Sequence, residues 1–222
     1  MELQFVNSKR TNKAIIVLYD IDDIDIDLLK DRYIVGADKG AYLLLKKGIV
    51  PDIAIGDFDS CNDDEKKYIF DNIKNIIKLN PIKDKSDTKE CIEYLKDYDD
   101  IIVYGGIKGN RIEHLFSNII DICNHPNVKM IDDNSLIEIK DKSFIPNINY
   151  QFVSFYSLDN NTIISLSGFK YNLDNYNLKM LDNLCLSNEI ISNDCYVSLN
   201  GKILIIYSLK KWGYYGWLSF NW

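Results

Sequence analysis

The sequence is short of several features that would assign it a place or a partner at once. It has no apolar run long enough to cross a bilayer. Its start, Met1-Glu2-Leu3-Gln4-Phe5, has no basic stretch followed by an apolar one, so no signal peptide is expected. The five cysteines (Cys61, Cys91, Cys123, Cys185 and Cys195) are scattered, odd in number and form no Cys-x-x-Cys pair. That excludes a disulfide framework or a zinc ribbon and suits reduced thiols in the cytoplasm. An excess of positive charge is missing too. The 26 Lys and Arg stand against 33 Asp and Glu, a formal net charge of −7, which argues against a nucleic acid partner. There is no internal repeat, no low-complexity linker, no Walker P-loop and no Rossmann glycine fingerprint.

What the 222 residues do have is 46% hydrophobic content and 27% charge, enough for a folded chain with a sizeable core. Short apolar runs alternate with amphipathic segments in the first part. Strands are expected at Ala14–Leu18, Tyr33–Ala37, Ile53–Ile55, Ile76–Leu79, Ile101–Tyr104 and Val128–Ile131. Helical spacing marks Ile26–Lys30, Ala41–Lys47, Asp63–Asn72, Thr88–Lys96 and Ile112–Cys123, the last with Ile112, Leu115, Phe116, Ile119 and Cys123 in register. Continuous apolar strands in repeated β-α-β units predict a Rossmann-like parallel sheet with helices on both faces. Such sheets bind ligands beyond the carboxyl ends of their strands.

The character changes near Asp132-Asp133-Asn134. After it come short β-rich runs at Leu136–Ile139, Gln151–Tyr156, Thr162–Leu166, Phe169–Leu173, Tyr196–Leu199 and Ile203–Tyr207, punctuated by Asn, Asp and Gly. They predict a small antiparallel β domain. The expected division is therefore an α/β domain over residues 1–133 and a β domain over residues 134–222. The closing Trp212, Trp217 and Trp222 read as a seal for a core or a subunit interface.

Four segments carry the candidate chemistry. In Gly56-Asp57-Phe58-Asp59-Ser60, an extended backbone would put Asp57 and Asp59 on one side, about 6–7 Å apart at Cα. Two bare carboxylates about 4–5 Å apart repel by roughly 3–4 kcal/mol at an effective dielectric of about 20. A Mg²⁺ ion, which takes one or two carboxylates plus substrate phosphates, turns that repulsion into binding. Gly56 would let a ligand come close to the backbone. Ser86-Asp87-Thr88-Lys89-Glu90 opens a helix, and there Asp87 is either an N-cap completed by Glu90 or a further metal contact. Gly105-Gly106-Ile107-Lys108-Gly109-Asn110-Arg111 is a glycine-rich turn between strand and helix. It would offer N–H groups to an anion, with Lys108 and Arg111 adding charge and His114 one turn on. Asp38, between a strand and a helix, would contact nucleotide or metal, or merely cap the helix.

In this order and spacing the segments resemble the thiamine pyrophosphokinase family. The family pattern matches Asp38-Lys39-Gly40, Pro51-Asp52 leading to Gly56-Asp57-Phe58-Asp59-Ser60, Ser86-Asp87, Gly109-Asn110-Arg111-Ile112-Glu113-His114, and Leu186-Ser187-Asn188-Glu189. Lys39 and Asn110 stand where the pattern has glycine, Ser86 where it has threonine, and Glu113 where it has aspartate. The resemblance implies a C-terminal β-sandwich and a homodimer with active sites between subunits. It also implies transfer of the pyrophosphoryl group of ATP to thiamine, giving thiamine diphosphate and AMP. Asp57, Asp59 and Asp87 would then hold Mg²⁺. Asp38, Gly56, Ser86, Gly105, Gly106, Lys108, Gly109, Asn110, Arg111 and His114 would line the nucleotide site, and Ser187 and Asn188 would meet thiamine. The competing readings are a hydroxymethyl-pterin pyrophosphokinase, a catalytically silent nucleotide or thiamine sensor, and a metal-dependent phosphohydrolase. No His/Asp cluster with two-metal spacing supports the last of these.

Overall fold

The computed structural model describes residues 4–5, 12–19, 21, 24–82, 84–109 and 111–209. Asn110 and the three tryptophans at Trp212, Trp217 and Trp222 lie outside them. In chain order the elements are β1 (Gln4–Phe5), β2 (Lys13–Val17), a 3₁₀ turn (Ile26–Leu29), β3 (Tyr33–Ala37), α1 (Lys39–Lys46), β4 (Ile49–Val50), β5 (Ile53–Gly56), α2 (Asp63–Asn72), β6 (Ile76–Lys78), α3 (Asp87–Tyr94), β7 (Asp100–Tyr104), α4 (Ile112–Asn124) and β8 (Val128–Ile131). They continue with β9 (Ser135–Phe144), β10 (Phe152–Ser157), β11 (Thr162–Ser167), β12 (Leu173–Leu178), β13 (Asn188–Glu189) and β14 (Tyr196–Ser208).

Six strands form a parallel sheet in the order β8-β7-β2-β3-β5-β6. The alternation of a strand points successive side chains to opposite faces, and both faces are apolar here. Ala14 and Ile16 of β2 pack with Cys91 and Ile92 of α3, Leu95 just after it and Ile122 of α4. Ile15 and Val17 pack with Leu29 and with Leu44 of α1 on the other side. Ala41, Leu45, Ile69 and Phe58 fill the space where α1 and α2 meet β5.

The sheet does not stop at the turn Asp132–Asn134. β9 pairs antiparallel with β8 through Met130↔Ile137 and Ile131↔Leu136, and β14 then pairs along the length of β9. The free edge of β14 is taken by β11 over its first half and by β10 over its second. β9 therefore serves two cores. Leu136 faces the sandwich core with Val153, Phe155, Ile205 and Tyr207. Ile137, Ile139 and Leu204 face the α/β core, where Leu115 and Ile119 of α4 cover them.

Three details differ from the sequence-based expectation. Tyr196–Leu199 and Ile203–Tyr207 are one continuous strand, because Asn200-Gly201 makes register irregularities in it instead of a turn. The strand expected at Phe169–Leu173 begins at Leu173, and Phe169 is a buried anchor joined to Ile190 by a single bridge. On α4, Leu115, Ile119 and Cys123 face the core, whereas Ile112, Phe116 and Ile120 form an exposed apolar stripe with Phe116 at 65% exposure.

Candidate active site

From β2 the chain steps outward through β3, β5 and β6, then returns to the other side of β2 as β7. The crevice beyond the carboxyl ends at such a switch is where open α/β sheets receive ligands. A cleft of about 790 Å³ lies there. It is lined by Leu18 and Tyr19 after β2, Asp38 and Lys39 after β3, Asp57, Asp59 and Ser60 after β5, and the first turns of α3 and α4. Three helix N-termini thus open toward one space, and each favours negative charge.

Asp38, Asp57 and Asp59 each offer a carboxylate oxygen within 4.8 Å of the others. Asp57 and Asp59 converge through a kink, not through an extended segment. Phe58 between them sits at φ 60° with its ring fully buried against Phe70, and the Asp59 N–H donates to Asp57 Oδ1 at 3.1 Å. Gly56 has a different job from the one its position suggested. A Cβ there would lie 2.9 Å from the Asp38 Cα, so it is the Asp38 backbone that needs the space. The Asp38 N–H donates to Ile55 O at 2.9 Å, which fixes the end of β3 beside β5.

Asp38 starts α1 but makes no side-chain capping bond. Its Oδ2 accepts the Ser60 hydroxyl, and its Oδ1 is buried without a hydrogen-bond partner among the described residues. Burial pushes the Asp38 carboxyl above its ordinary value, and the Ser60 bond opposes this. The charges of Asp87, Asp57 and Asp59 raise it further. The cluster of three therefore holds Asp38, with Asp87 lining the same cleft as a fourth carboxylate. Asp87 is not the N-cap of α3. Ser86 is, accepting the Lys89 N–H at 3.1 Å, which leaves Asp87 in the first turn.

The glycine-rich loop divides. Gly105 and Gly106 take φ of 85° and 76° and are buried against Tyr19 O and Leu18. The Gly105 N–H donates to Ile131 O at 3.0 Å, so it extends the sheet and is not offered to an anion. Lys108 forms an ion pair with Asp133 at the β8–β9 turn and does not line the cleft. Gly109, Arg111 and His114 do line it. Arg111 donates Nε to Glu113 Oε1 at 2.8 Å, and that guanidinium holds the Glu113 carboxyl below its ordinary value. The guanidinium keeps further N–H donors.

Ser187 and Asn188 do not line the cleft in the single chain. Asn188 is buried and committed within its own half. Its Nδ2 donates to Tyr171 O at 2.7 Å, and its Oδ1 accepts the N–H groups of Tyr171 and Glu189. Ser187 is exposed at φ 53°, its N–H donating to Ser154 Oγ at 2.9 Å. Lys39, Ser60 and Glu113 line the cleft, and sequence reasoning gave them no role. Their signal was adjacency to Asp38, Asp59 and Arg111.

Two family models match the chain: "Thiamin pyrophosphokinase, catalytic domain" over residues 27–131 and "Thiamin pyrophosphokinase, vitamin B1 binding domain" over residues 140–204. The chain is 30% identical over 181 residues to the thiamine pyrophosphokinase of Bacillus subtilis (strain 168), covering 78% of this chain and 85% of the relative. The thiamin pyrophosphokinase 1 of Caenorhabditis elegans is 23% identical over 206 residues, covering 83% and 82%. The crystal structure of the Bacillus subtilis thiamine pyrophosphokinase superposes with a TM-score of 0.75 at 26% identity, covering 89% of this chain and 99% of that one. A thiamin pyrophosphokinase family protein from Enterococcus faecalis gives 0.77 at 22% identity, covering 90% and 100%, a likeness of fold.

Proposed function

Because the chain belongs to the thiamin pyrophosphokinase family, we infer that it is a transferase that moves the pyrophosphoryl group of ATP to the thiamine hydroxyl, giving thiamine diphosphate and AMP. The observation that carries this reading is the convergence of the Asp38, Asp57 and Asp59 carboxylates at a cleft opened by three helix N-termini. The same residues fit a hard divalent cation, since Asp38 Oδ1 is buried without a partner among the described residues and the other carboxylates stand within reach of it. Asp38, Asp57 and Asp59 would hold Mg²⁺, with Asp87 beside them. Bound there, the ion supplies charge neutralisation between carboxylates and phosphate oxygens.

The chain's own residues do the positioning. Arg111 and the opening turns of α1, α3 and α4 hold the polyphosphate of ATP. His114 orients a phosphate oxygen. Ser60 fixes the Asp38 carboxylate in rotation through its hydroxyl bond. The thiamine hydroxyl attacks the β-phosphorus, AMP leaves, and one of the four aspartates takes the hydroxyl proton. Such transfer depends on alignment and charge more than on covalent help.

We assign the metal and nucleotide half to residues 1–133 and the thiamine half to residues 134–222. Ser187 would meet thiamine, and Asn188 would brace the segment beside it through its bonds to Tyr171 and Glu189. Both lie away from the cleft of their own chain, and the α4 stripe of Ile112, Phe116 and Ile120 is uncovered. Both facts favour a homodimer in which a second copy completes the site. Among the described residues no helix is long and apolar enough to cross a membrane. Five free thiols suit the cytoplasm.

The test is direct: incubate the protein with ATP, Mg²⁺ and thiamine and measure AMP. AMP formed only when thiamine is present supports the reading. ADP or phosphate released without an acceptor would instead indicate a hydrolase.

A further inference from the structure

We propose that Lys39 is a nucleotide-binding residue that places its ammonium on the polyphosphate of ATP. The proposal rests on reading the cleft as a nucleotide site. Lys39 is the first residue of α1, next in sequence to Asp38, and it lines the cleft with Asp57, Asp59 and Asp87. Its described partner is Glu65, at 3.3 Å to Oε1 and 3.4 Å to Oε2. These distances exceed the roughly 2.7–2.9 Å of a good charge-assisted bond. Glu65 already has another duty. Its Oε2 accepts the Asn62 N–H at 3.0 Å in the capping box of α2, and the Glu65 N–H returns to Asn62 Oδ1 at 2.9 Å. Lys39 is thus parked beside a carboxylate that α2 holds for its own use. The lysine side chain is 41% exposed, so leaving the pair forfeits little.

The charges of the cleft call for such a cation. Asp38, Asp57, Asp59, Asp87 and Glu113 line it, against Arg111 and Lys39 as the basic side chains with permanent charge. Arg111 already bonds Glu113. A metal held by the carboxylates would neutralise part of a polyphosphate, and Lys39 would add a donor to it from the start of α1. Lys39 is long, flexible and carries three N–H donors. Its position at the start of α1 adds its charge to the favourable end of that helix for an anion.

The experiment compares Lys39→Met, Lys39→Arg and Lys46→Met, the last removing the same charge from the exposed far end of the same helix. Steady-state AMP formation and calorimetric titration with Mg²⁺·ATP in the absence of thiamine are the two readouts. In Lys39→Met the KM and Kd for ATP should rise about 10-fold, while the KM for thiamine and kcat stay within about twofold. Lys39→Arg should recover most of the affinity, and Lys46→Met should match the parent. The ATP KM of the parent should also rise more steeply with added KCl than that of Lys39→Met. An unchanged ATP affinity in Lys39→Met, or an equal loss in Lys46→Met, would overturn the proposal. If Mg²⁺·ATP binds the parent and weakens in Lys39→Met, yet thiamine yields no AMP, the Lys39 contact stands and the reaction reading fails. A parent protein that does not bind Mg²⁺·ATP overturns both.

Discussion

At the two ends of one parallel sheet, carboxylates are treated in opposite ways. At the amino end, Asp100 opens β7 between two cations: Arg32 Nη2 at 2.6 Å and Lys129 Nζ at 3.2 Å. Asp52 at the same end accepts the Ile34 N–H at 2.7 Å. At the carboxyl end, Asp38, Asp57 and Asp59 face one another, and an oxygen of Asp38 is buried with no partner among the described residues. Asp100 is flanked by cations at one end, whereas three carboxylates crowd one another at the other. Crowding of like charge destabilises a fold unless a ligand arrives, which is why we propose the crowded end as the working one.

The largest expected effect is at the crowded end. Asp57→Asn or Asp59→Asn should lower AMP formation by about three orders of magnitude, the scale of losing a preorganised charge contact in a transition state. The melting temperature without metal should not fall. Near-parental turnover in either variant would erase the distinction between the two ends.

Next comes the paired end. Asp100→Ala should destabilise the protein by about 2–3 kcal/mol in urea melts, because it leaves the half-buried Arg32 without its carboxylate, and kcat of the folded fraction should hold. Burial pushes the Asp100 carboxyl up, but the Arg32 bond and the Lys129 charge outweigh it and hold the group below its ordinary value. The stabilisation it brings is therefore present above the unfolded-state value and is lost as pH falls through the lower, folded-state value. Asp100→Ala should remove that acid-side loss.

The smallest effect has the opposite sign. Asp38→Asn should stabilise the metal-free protein by on the order of 1 kcal/mol at neutral pH while removing activity, since it relieves repulsion and keeps an acceptor for Ser60. The Asp38 carboxyl is raised by burial first and by its acidic neighbours after that. The favourable contribution is then complete below the unfolded-state value and fades as pH rises through the folded-state one. Urea melts in a chelator at acid and neutral pH should show the advantage of Asn growing with pH. An advantage that shrinks instead would mean that the carboxylate is paired after all.

Much of the α/β layer was legible from sequence because apolar periodicity sets it. The expected span Asp63–Asn72 for a helix is the observed one, with Asn62 and Glu65 closing its capping box. β12 was not legible because its Leu173–Leu178 stretch carries Asp and Asn at exposed positions, which weakens the apolar signal. The acidic site was legible as a motif but not as a geometry. The place of Asp38 in the carboxylate cluster depends on Gly56 letting two strand ends touch, and the pairing of Lys108 with Asp133 joins residues 25 apart in sequence. Ser86 and Asp87 are both good caps, and only the turn of the chain decides which of them caps and which is left for the cleft.

β9 carries Leu136 into one core and Ile137 and Ile139 into the other, while its backbone continues the sheet from β8. The two halves therefore share a wall. A protease would find no tether to cut at Asp132–Asn134, and neither half could be expressed alone without baring a strand edge and a hydrophobic face. The two halves should melt as one cooperative unit, so damage to either is felt by both.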